Sequence, residues 1–373
     1  MRQYNVEFFG RADLRYKHHD TVYDTLIDDD YISASTSTIE ISSTDKISNG
    51  DYIYLTDEDV KFFGVVSDVS PGEYKTTVTF KSFISIFDEL FLFDTSNQGT
   101  SNTNHRTLEA TLAYYITTVY MNPSDSDTLQ ALPIVVVNSV PASNQTVKWS
   151  LNLTPDTEGS HYCLIHMYSV LIVNALKKYG VSIKVEPRLS GSARKIYLTI
   201  EKNTSAPFKI DANLDNVNVK TLKYNDRPTG VNKLVVYNSE NYANSLTFYV
   251  HTDRTWSYQN VNRIYPVVRE CSAVAPDNDY ADPIEGFAAA ALDTAYNSLS
   301  GLEWDNLIEL DTRINDPIIK PLDIKIGQLV TIWYKGASYS SILTGRSFQS
   351  NSVTLLFGSE RIRYSKRIRT NGG

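Results

Sequence analysis

The sequence predicts a mainly β protein of the α+β class, in which two similar β-barrel domains alternate with two smaller α/β domains. Three observations predict this fold class. Apolar residues alternate with a period of two towards both ends of the chain, whereas three stretches between them repeat with the period of a helix. A stretch near the N-terminus can be laid on one near the C-terminus without a gap. The 373 residues also exceed the about 250 to 300 at which a single hydrophobic core stops growing.

The gapless alignment joins residues 47–83 to part of the segment 321–364. Gly50 falls on Gly327, a constant offset of 277 (327 minus 50). At this offset the apolar positions agree: Ile53, Leu55, Phe62, Val65, Val66, Thr77, Val78 and Phe80 fall on Val330, Ile332, Tyr339, Ile342, Leu343, Thr354, Leu355 and Phe357. One interpretation is a duplicated β-barrel module. The alternative is that any two three-strand meanders with loops of similar length match on their alternating hydrophobicity.

Residues 1–93 are predicted to form the first β-barrel domain, with or without return strands from residues 206–225. An opening strand is followed by a polar loop, KHHDTVYDTLIDDD, and then by the alternating strand STSTIEISS. Two acidic runs, Asp28 to Asp30 and Asp57 to Asp59, lack the ligand spacing of a calcium loop. We therefore expect both runs to be solvated loop charges.

Residues 94–205 are predicted to form an α+β domain. A linker rich in Ser, Thr, Asn and Gly over 94–105 precedes a helix that ends near Asn122-Pro123, and a second helix spans roughly 160–179. The apolar faces of these two helices consist of Leu108, Leu112, Tyr115 and Val119, and of Leu164, Tyr168, Leu171 and Ala175. Strands are expected at LPIVVVNSV, VSIKVEP and KIYLTIEK, and Gly180 is the stop signal of the second helix.

Residues 206–262 and 314–373 are predicted to form the second β-barrel domain, and 263–313 a helix-bearing inserted domain. Asp282 followed by Pro283 has the pattern of an N-cap with proline at the first helical position. The apolar face of this third helix consists of Ile284, Phe287, Ala291, Leu292, Ala295 and Leu299. Strands at RIYPVVREC and NLIELDTRI are expected to flank it.

No set of residues predicts catalysis, a cofactor or a metal site. In a helix, His161, Cys163 and His166 would point to different faces, so we do not expect them to act as metal ligands or as a nucleophile. Asp277, Asp279 and Asp282 could hold calcium, but a loop that ends in the N-cap Asp282 explains them more simply. Phosphate-binding glycine motifs are absent from the sequence.

Composition excludes further classes of function. A net charge of −8 argues against nucleic acid as the principal partner. The two cysteines lack metal-site spacing, and we expect neither a signal peptide nor a membrane span, which indicates synthesis in a cytoplasm without export by a signal of its own. The positive charge gathers in a C-terminal tail, where we expect an acidic neighbouring subunit or a mobile segment; its residues are Arg361, Arg363, Lys366, Arg367 and Arg369.

The order of these motifs carries a resemblance to a known family. The pattern GDYIYL, FFGVVSDV and TVTFKSFISIFD, then RPTGVNKLVVYN, then IKIGQLVTIWYKGASYSSILTG and VTLLFGSERI resembles the tail-associated hub proteins of long-tailed bacteriophages (siphoviruses). These are relatives of the central baseplate hub of contractile phages and of type VI secretion spike proteins. The resemblance covers nearly the whole chain, and its motifs are packing patterns and not catalytic signatures.

The resemblance implies a structural role in the virion. It implies a homotrimer at the tail tip or baseplate that closes the tail tube and adapts threefold to sixfold symmetry for host attachment and DNA passage. The implied partners are the distal tail protein ring, other baseplate or receptor-binding subunits and the tape-measure protein, without specific nucleic-acid binding. Many relatives continue into a fibre or a peptidoglycan-cleaving domain, whereas this sequence ends at Gly373, so we do not expect that enzymatic activity here. A carbohydrate-binding or cell-wall-hydrolysing tail component is the alternative.

Overall fold

The computed structural model is mainly β with a few helices, as the sequence predicts. It describes residues 2–88, 90–94, 108–123, 130–137, 162–191, 193–224, 231–252, 255–265, 267–277, 280–301 and 306–359. Within these residues, no helix combines the length and the apolar character needed to cross a membrane.

The first sheet has six strands and curls on itself. Its segment of the chain contains β1 (Gln3–Phe9), β2 (Tyr16–Tyr23), β3 (Leu26–Asp30), β4 (Thr36–Ser42), β5 (Tyr52–Thr56), β6 (Lys61–Pro71) and β7 (Lys75–Ser82). The strand order is β2-β1-β5-β6-β7-β4, which leaves β3 outside this sheet. Its first and last strands approach each other, since the backbone N–H of Ser42 donates to a carboxylate oxygen of Asp20 at 2.6 Å. The sheet is therefore curled, and this contact links its two edge strands.

The segment predicted to be a polar loop contains two strands, so that prediction was wrong. β2 and β3 lie in KHHDTVYDTLIDDD and the residue before it. β2 is an edge strand with only Val22 buried, so it lacks the alternation by which a half-buried strand is recognised. β4, in contrast, alternates strictly between exposed and buried residues, as its sequence predicts.

The next unit combines short strands with two helical segments. It contains β8 (Leu90–Asp94), α1 (Leu108–Tyr115), β9 (Ile134–Val137), β10 (Tyr162–His166), α2 (Val173–Tyr179), β11 (Val181–Arg188) and β12 (Lys195–Lys202). Both helices adjoin a π-helical turn, at Ile116–Met121 after α1 and at Met167–Ile172 before α2. The strands form a β11-β12-β9 sheet and a β8–β10 pair.

The predicted ends of these helices are confirmed, but the predicted start of the second helix was wrong. The first helical segment ends at Met121, and α2 ends at Gly180, whose φ of 68° is the left-handed cap conformation. Residues 162–166 form a strand because β8 supplies an antiparallel partner for them. Leu164 thus belongs to β10 and not to the apolar face of a helix.

The chain then leaves and re-enters a second curled sheet. It runs through β13 (Phe208–Asp211), β14 (Asn218–Tyr224), β15 (Lys233–Asn238), β16 (Ser245–Val250), β17 (Trp256–Ser257), β18 (Arg269–Val274), α3 (Pro283–Leu299), β19 (Asn306–Arg313), β20 (Leu329–Tyr334), β21 (Ala337–Gln349) and β22 (Ser352–Phe357). The second curled sheet has the order β13-β20-β21-β22-β19-β14. Four strands, in the order β17-β16-β15-β18, form a separate sheet that packs against α3.

Strand pairing selects between two alternatives that the sequence left open and differs from two assignments made from the sequence. The return strands of 206–225, β13 and β14, pair with β20 and β19 and so belong to the second curled sheet. β15 and β16, predicted for the second barrel, pair with β17 and β18 beneath α3. β19, predicted to flank the helix, pairs with β22 in the second curled sheet. We propose that the inserted domain runs from about residue 231 to 301 instead of 263–313.

The internal repeat is confirmed pair by pair. In the first sheet Tyr52 pairs with Val65, and the residues 277 positions later, Leu329 and Ile342, pair in the second. The register of β6 on β7 shifts after Val66, and that of β21 on β22 shifts at the equivalent position after Leu343. Equal periodicity alone would not place a β-bulge at the same position in both meanders. The duplication is thus a property of the backbone.

Two hydrophobic clusters lie on opposite sides of each repeat. Val66 and Leu343 both belong to one large cluster that the two curled sheets share. Val65 and Ile342, the preceding residues, both belong to the cluster built around the α+β unit. Successive strand residues point to opposite faces, so each repeat contacts its partner repeat on one side and the α+β unit on the other.

Candidate assembly site at the junction of the repeats

Strand β3 connects the two repeats directly. It leaves the N-terminal part of the chain and pairs antiparallel with β21, so that Ile27 lies opposite Phe348 and Asp30 opposite Gly345. A Cβ on Gly345 would lie 2.9 Å from the Cα of Asp30, so only glycine allows this approach. The first repeat thereby extends the sheet of the second.

The acidic run on β3 is not the solvated loop that the sequence predicted. Asp30 is buried, and Asp28 and Asp29 are half-buried in the strand. Asp28 accepts a hydrogen bond from the hydroxyl of Ser347 on β21 at 2.5 Å. Burial raises the pKa of Asp28, and this hydrogen bond opposes the rise. The run therefore belongs to the junction.

Asp29 and Arg346 place opposite charges in the same junction. Burial raises the pKa of Asp29, while the hydroxyl of Ser82, donating at 2.8 Å, and the charge of Arg346 oppose that rise. Burial lowers the pKa of Arg346, and the charge of Asp29 opposes that change. The Arg346 guanidinium also donates to the backbone oxygen of Ile324. These groups line a cleft of about 630 Å³ that also reaches the α+β unit.

Tyr31, directly after β3, ties the junction to the α+β unit. Its hydroxyl accepts a hydrogen bond from the backbone N–H of Ile183 at 2.9 Å. The hydroxyl of Tyr168 donates to the backbone oxygen of Tyr31 at 3.1 Å. Both bonds are buried, and each would leave a costly unpaired group if its partner were removed. The junction thus joins both repeats and the α+β unit.

The second acidic run closes the β5–β6 hairpin and holds the N-terminus. Asp57 accepts two hydrogen bonds from the Arg2 guanidinium, one of them at 2.8 Å. It also accepts the backbone N–H groups of Asp59 and Val60 at 2.8 and 2.7 Å. Asp59, which is more exposed, contacts the same guanidinium at 3.0 Å. This run is an ion-paired turn in place of the solvated charge expected from the sequence.

The inserted domain is anchored to the α+β unit through the C-terminal end of α3. The rings of Tyr179 and Tyr296 stack with centroids 6.5 Å apart. Within the inserted domain, the Trp256 indole donates to the hydroxyl of Ser300 at 3.3 Å and so joins β17 to the end of α3. A Cβ on Gly301 would lie 2.7 Å from the backbone oxygen of Lys177, so the two units meet closely.

The candidate metal ligands from the sequence do not come together. Among the residues that the structure describes, no three His, Cys, Asp or Glu side chains are placed to hold a metal ion. His166 is half-exposed and its Nδ1 lies 3.4 Å from a carboxylate oxygen of Asp88. His161 and Asp279 lie outside the described residues, as do the side chain of Cys163, the linker from 95 to 105 and the basic tail from Arg361. Asp282 is the predicted N-cap and accepts the N–H of Ile284 at 2.8 Å.

Sequence reasoning missed the β3–β21 junction. The acidic residues of β3 predict a solvated loop, and a pairing between segments more than 300 positions apart leaves no local pattern. The only available signal was the string Leu26-Ile27, an apolar pair within a polar stretch. Such a pair is too short to distinguish a strand from a loop anchor.

Comparison with solved structures finds phage tail and baseplate proteins. A structure of the phage P2 baseplate in its activated conformation with Ca matches with a TM-score of 0.48 and 14% identity, covering 96% of this chain and 100% of that chain. The tail protein from Neisseria meningitidis MC58 matches with a TM-score of 0.49 and 10% identity, covering 95% of this chain and 96% of that chain. The 43 kDa tail protein of prophage MuSo2 from Shewanella oneidensis matches with a TM-score of 0.46 and 12% identity, covering 95% of this chain and 98% of that chain.

No protein-family profile matches the sequence, and no curated relative matches it.

Proposed function

We propose that this chain is a structural hub protein of a siphovirus tail tip. In the proposal three copies form a ring that closes the distal end of the tail tube, adapts threefold to sixfold symmetry, and opens for DNA passage. The partners would be the distal tail protein ring, receptor-binding or other baseplate subunits, and the tape-measure protein. Its place would be the virion tail tip, where it would serve host attachment.

The duplicated module with its matching register and bulge carries this proposal. A threefold ring can contact a sixfold tube in an equivalent way only if each chain offers two equivalent surfaces. Two copies of one three-stranded meander in a single chain meet that requirement, since three chains would present six. A free strand edge can pair with another chain, and a curled sheet leaves few such edges. The edges that remain could therefore pair with a specific neighbouring subunit.

The two repeats have equivalent backbones, but their neighbouring strands and the side chains on their turns differ. The strand beside β5 is the antiparallel β1, whereas the strand beside the equivalent β20 is the parallel β13. The β5–β6 turn is acidic and paired with Arg2, whereas the β20–β21 turn contains Lys335 and the half-exposed Trp333 stands beside it. In the proposed ring, the shared backbone would face the tube and these different surfaces would contact non-equivalent neighbours.

A native mass measurement tests the proposed ring. We expect a species of three times 42.0 kDa at micromolar concentration. In the assembled ring, the two repeats of one chain should be related by a rotation near sixty degrees about the ring axis. A monomer throughout the micromolar range, or repeats related by a different rotation in an imaged ring, would contradict the proposal.

We propose no catalytic role for the chain. The expected result is that incubation with host cell walls releases no soluble glycan or peptide above a buffer control. Sustained release that one carboxylate or histidine substitution abolishes would instead support the hydrolytic alternative. Ring formation and wall cleavage are separate measurements, so each hypothesis can fail without the other.

A further inference from the structure

The inserted domain has one covered sheet face and one open face. Leu234, Val236 and Phe248 point towards α3 and form its core. Residues between them in the same strands point the other way, since successive strand residues alternate between faces. The open face begins with Lys233 on β15 and its partner Tyr249 on β16.

A row of cations crosses this open face. Lys233 lies in register with Arg269 on the neighbouring β18 and with Tyr249 on the other side. The Lys233 ammonium lies 5.7 Å from the Tyr249 ring centroid, and the Arg263 guanidinium lies 5.2 Å from it. Arg263 also lies 5.4 Å from the Tyr265 ring and donates to the Tyr265 hydroxyl at 2.9 Å. The tyrosines thus hold two of three cations in place.

The segment that carries Arg263 is held against the sheet by His251. One ring nitrogen of His251 lies 2.7 Å from the backbone oxygen of Val261, and the other lies 2.8 Å from the hydroxyl of Ser257. Arg263 itself forms a β-bridge with His251. The backbone that carries the Arg263 guanidinium is therefore fixed against the sheet.

These cations have no carboxylate partner within the described part of the chain. No ion pair joins Lys233, Arg263 or Arg269 to an acidic side chain there. Glu270, the nearest acid in sequence, lies opposite Leu234 and so points to the other face. Like charges on adjacent strands repel, and an anion between them would remove that cost. In a chain of net charge −8, this concentration of unpaired positive charge indicates a binding surface.

We propose that this face binds a flexible linear polyanion that carries phosphate groups. The row crosses several strands spaced about 4.8 Å apart, so it is too long for one anion and suits several in series. Arginine and lysine are the usual ligands of phosphate oxygens. Lys233 lies between Arg269 and Tyr249 in this row, and lysine is depleted in the cores of protein–protein interfaces. The two cations beside Tyr249, at 5.7 and 5.2 Å from its ring centroid, make this ring less available for stacking on a nucleic-acid base.

Binding of inorganic polyphosphate of defined length to the full chain tests the proposal. The triple variant Lys233→Gln, Arg263→Gln, Arg269→Gln should bind polyphosphate at least about tenfold more weakly. Its binding should also depend less on salt: the slope of the logarithm of the binding constant against the logarithm of the salt concentration should become shallower by about 0.7 for each cation removed. Lys335→Gln is the matched control, because Lys335 is also an exposed cation that lies 5.1 Å from a tyrosine ring but outside this face. Thermal unfolding should be unchanged in both variants.

Three outcomes would overturn the proposal. Lys335→Gln could weaken binding by as much as the average of the three substitutions in the triple variant, which would indicate general charge attraction. Polyglutamate of matched charge could bind as tightly as polyphosphate, which would indicate an acidic protein partner. A single-stranded oligonucleotide could bind more tightly than polyphosphate, which would indicate a nucleic-acid surface. None of these results depends on ring formation, so the proposed hub function is tested separately.

Discussion

Asp57 and Asp29 show at the scale of single residues how position changes the chemistry of a carboxylate. Burial alone would raise the pKa of Asp57, but the hydrogen bonds from Arg2 and from the backbone N–H groups of Val60 and Asp59 bring it below its ordinary value. At Asp29, burial dominates and the pKa is raised. Asp57 therefore favours folding when ionised, whereas ionisation of Asp29 opposes folding.

We predict that Asp57→Asn lowers the free energy of unfolding by about 1 to 3 kcal/mol at pH 7, because charge-assisted hydrogen bonds are lost. Since the folded pKa is depressed, the contribution of Asp57 is present above the unfolded value of 3.8 and is lost as pH falls through the folded value. Denaturant unfolding at pH 7 and pH 3 should show the difference between variant and parent shrinking in acid. Asp59→Asn, at the more exposed contact, should cost less. An equal loss at both pH values would disprove the ionic role.

At the scale of elements, each copy of the repeated meander packs against a different hydrophobic cluster on each of its two faces. Val65 is 8% exposed and its equivalent Ile342 is 2% exposed, and both face the cluster of the α+β unit. The next residues, Val66 and Leu343, point to the opposite face and belong to the shared core of the repeats, and a β-bulge follows each of them. Equivalent positions thus have equivalent packing in two different parts of the molecule.

We predict that Val65→Asp and Ile342→Asp each destabilise the fold by about 3 kcal/mol or more, because each buries a charge in an apolar cluster. Thermal unfolding and the yield of folded protein measure the loss. Ser67→Asp and Ser340→Asp are the controls, since both serines are exposed on the same strands, β6 and β21. If the control and core variants behaved alike, the cores would not lie where the packing places them.

At the scale of the whole molecule, the chain between β14 and β19 is an insertion in the second curled sheet. Tyr224 at the end of β14 lies directly opposite Asn306 at the start of β19. The chain between them therefore leaves and re-enters the second curled sheet through the ends of two adjacent antiparallel strands. An antiparallel pair can be closed by a two-residue turn.

We predict that replacing residues 225–305 with Asn-Gly leaves a folded protein, somewhat destabilised because the contact of Tyr296 with Tyr179 is lost. Circular dichroism and thermal unfolding should show a cooperative transition close to that of the parent. Deletion of residues 206–224, which removes β13 and β14, is the contrasting control and should abolish cooperative folding. Loss of folding on excision of 225–305 would show that the insertion is needed for the framework.

Local features could be predicted from the sequence because they report local geometry. The alternation in STSTIEISS predicts β4, Gly180 ends α2, and Asp282 with Pro283 begins α3. The offset of 277 predicts a shared register because matching hydrophobic positions in two meanders require matching sides of the sheet. These conclusions needed no knowledge of which distant segments meet.

Partner choice was decided only by the tertiary structure. Nothing in the residues of β3 shows that it pairs with β21, and nothing in 162–166 distinguishes a strand from the first turn of a helix. Likewise, β15 and β16 alternate as strands of either sheet would, and α3 determines where they lie. A period identifies which side of a strand is buried, but every free sheet edge offers the same backbone hydrogen bonds. The choice among edges therefore depends on packing between segments far apart in the chain.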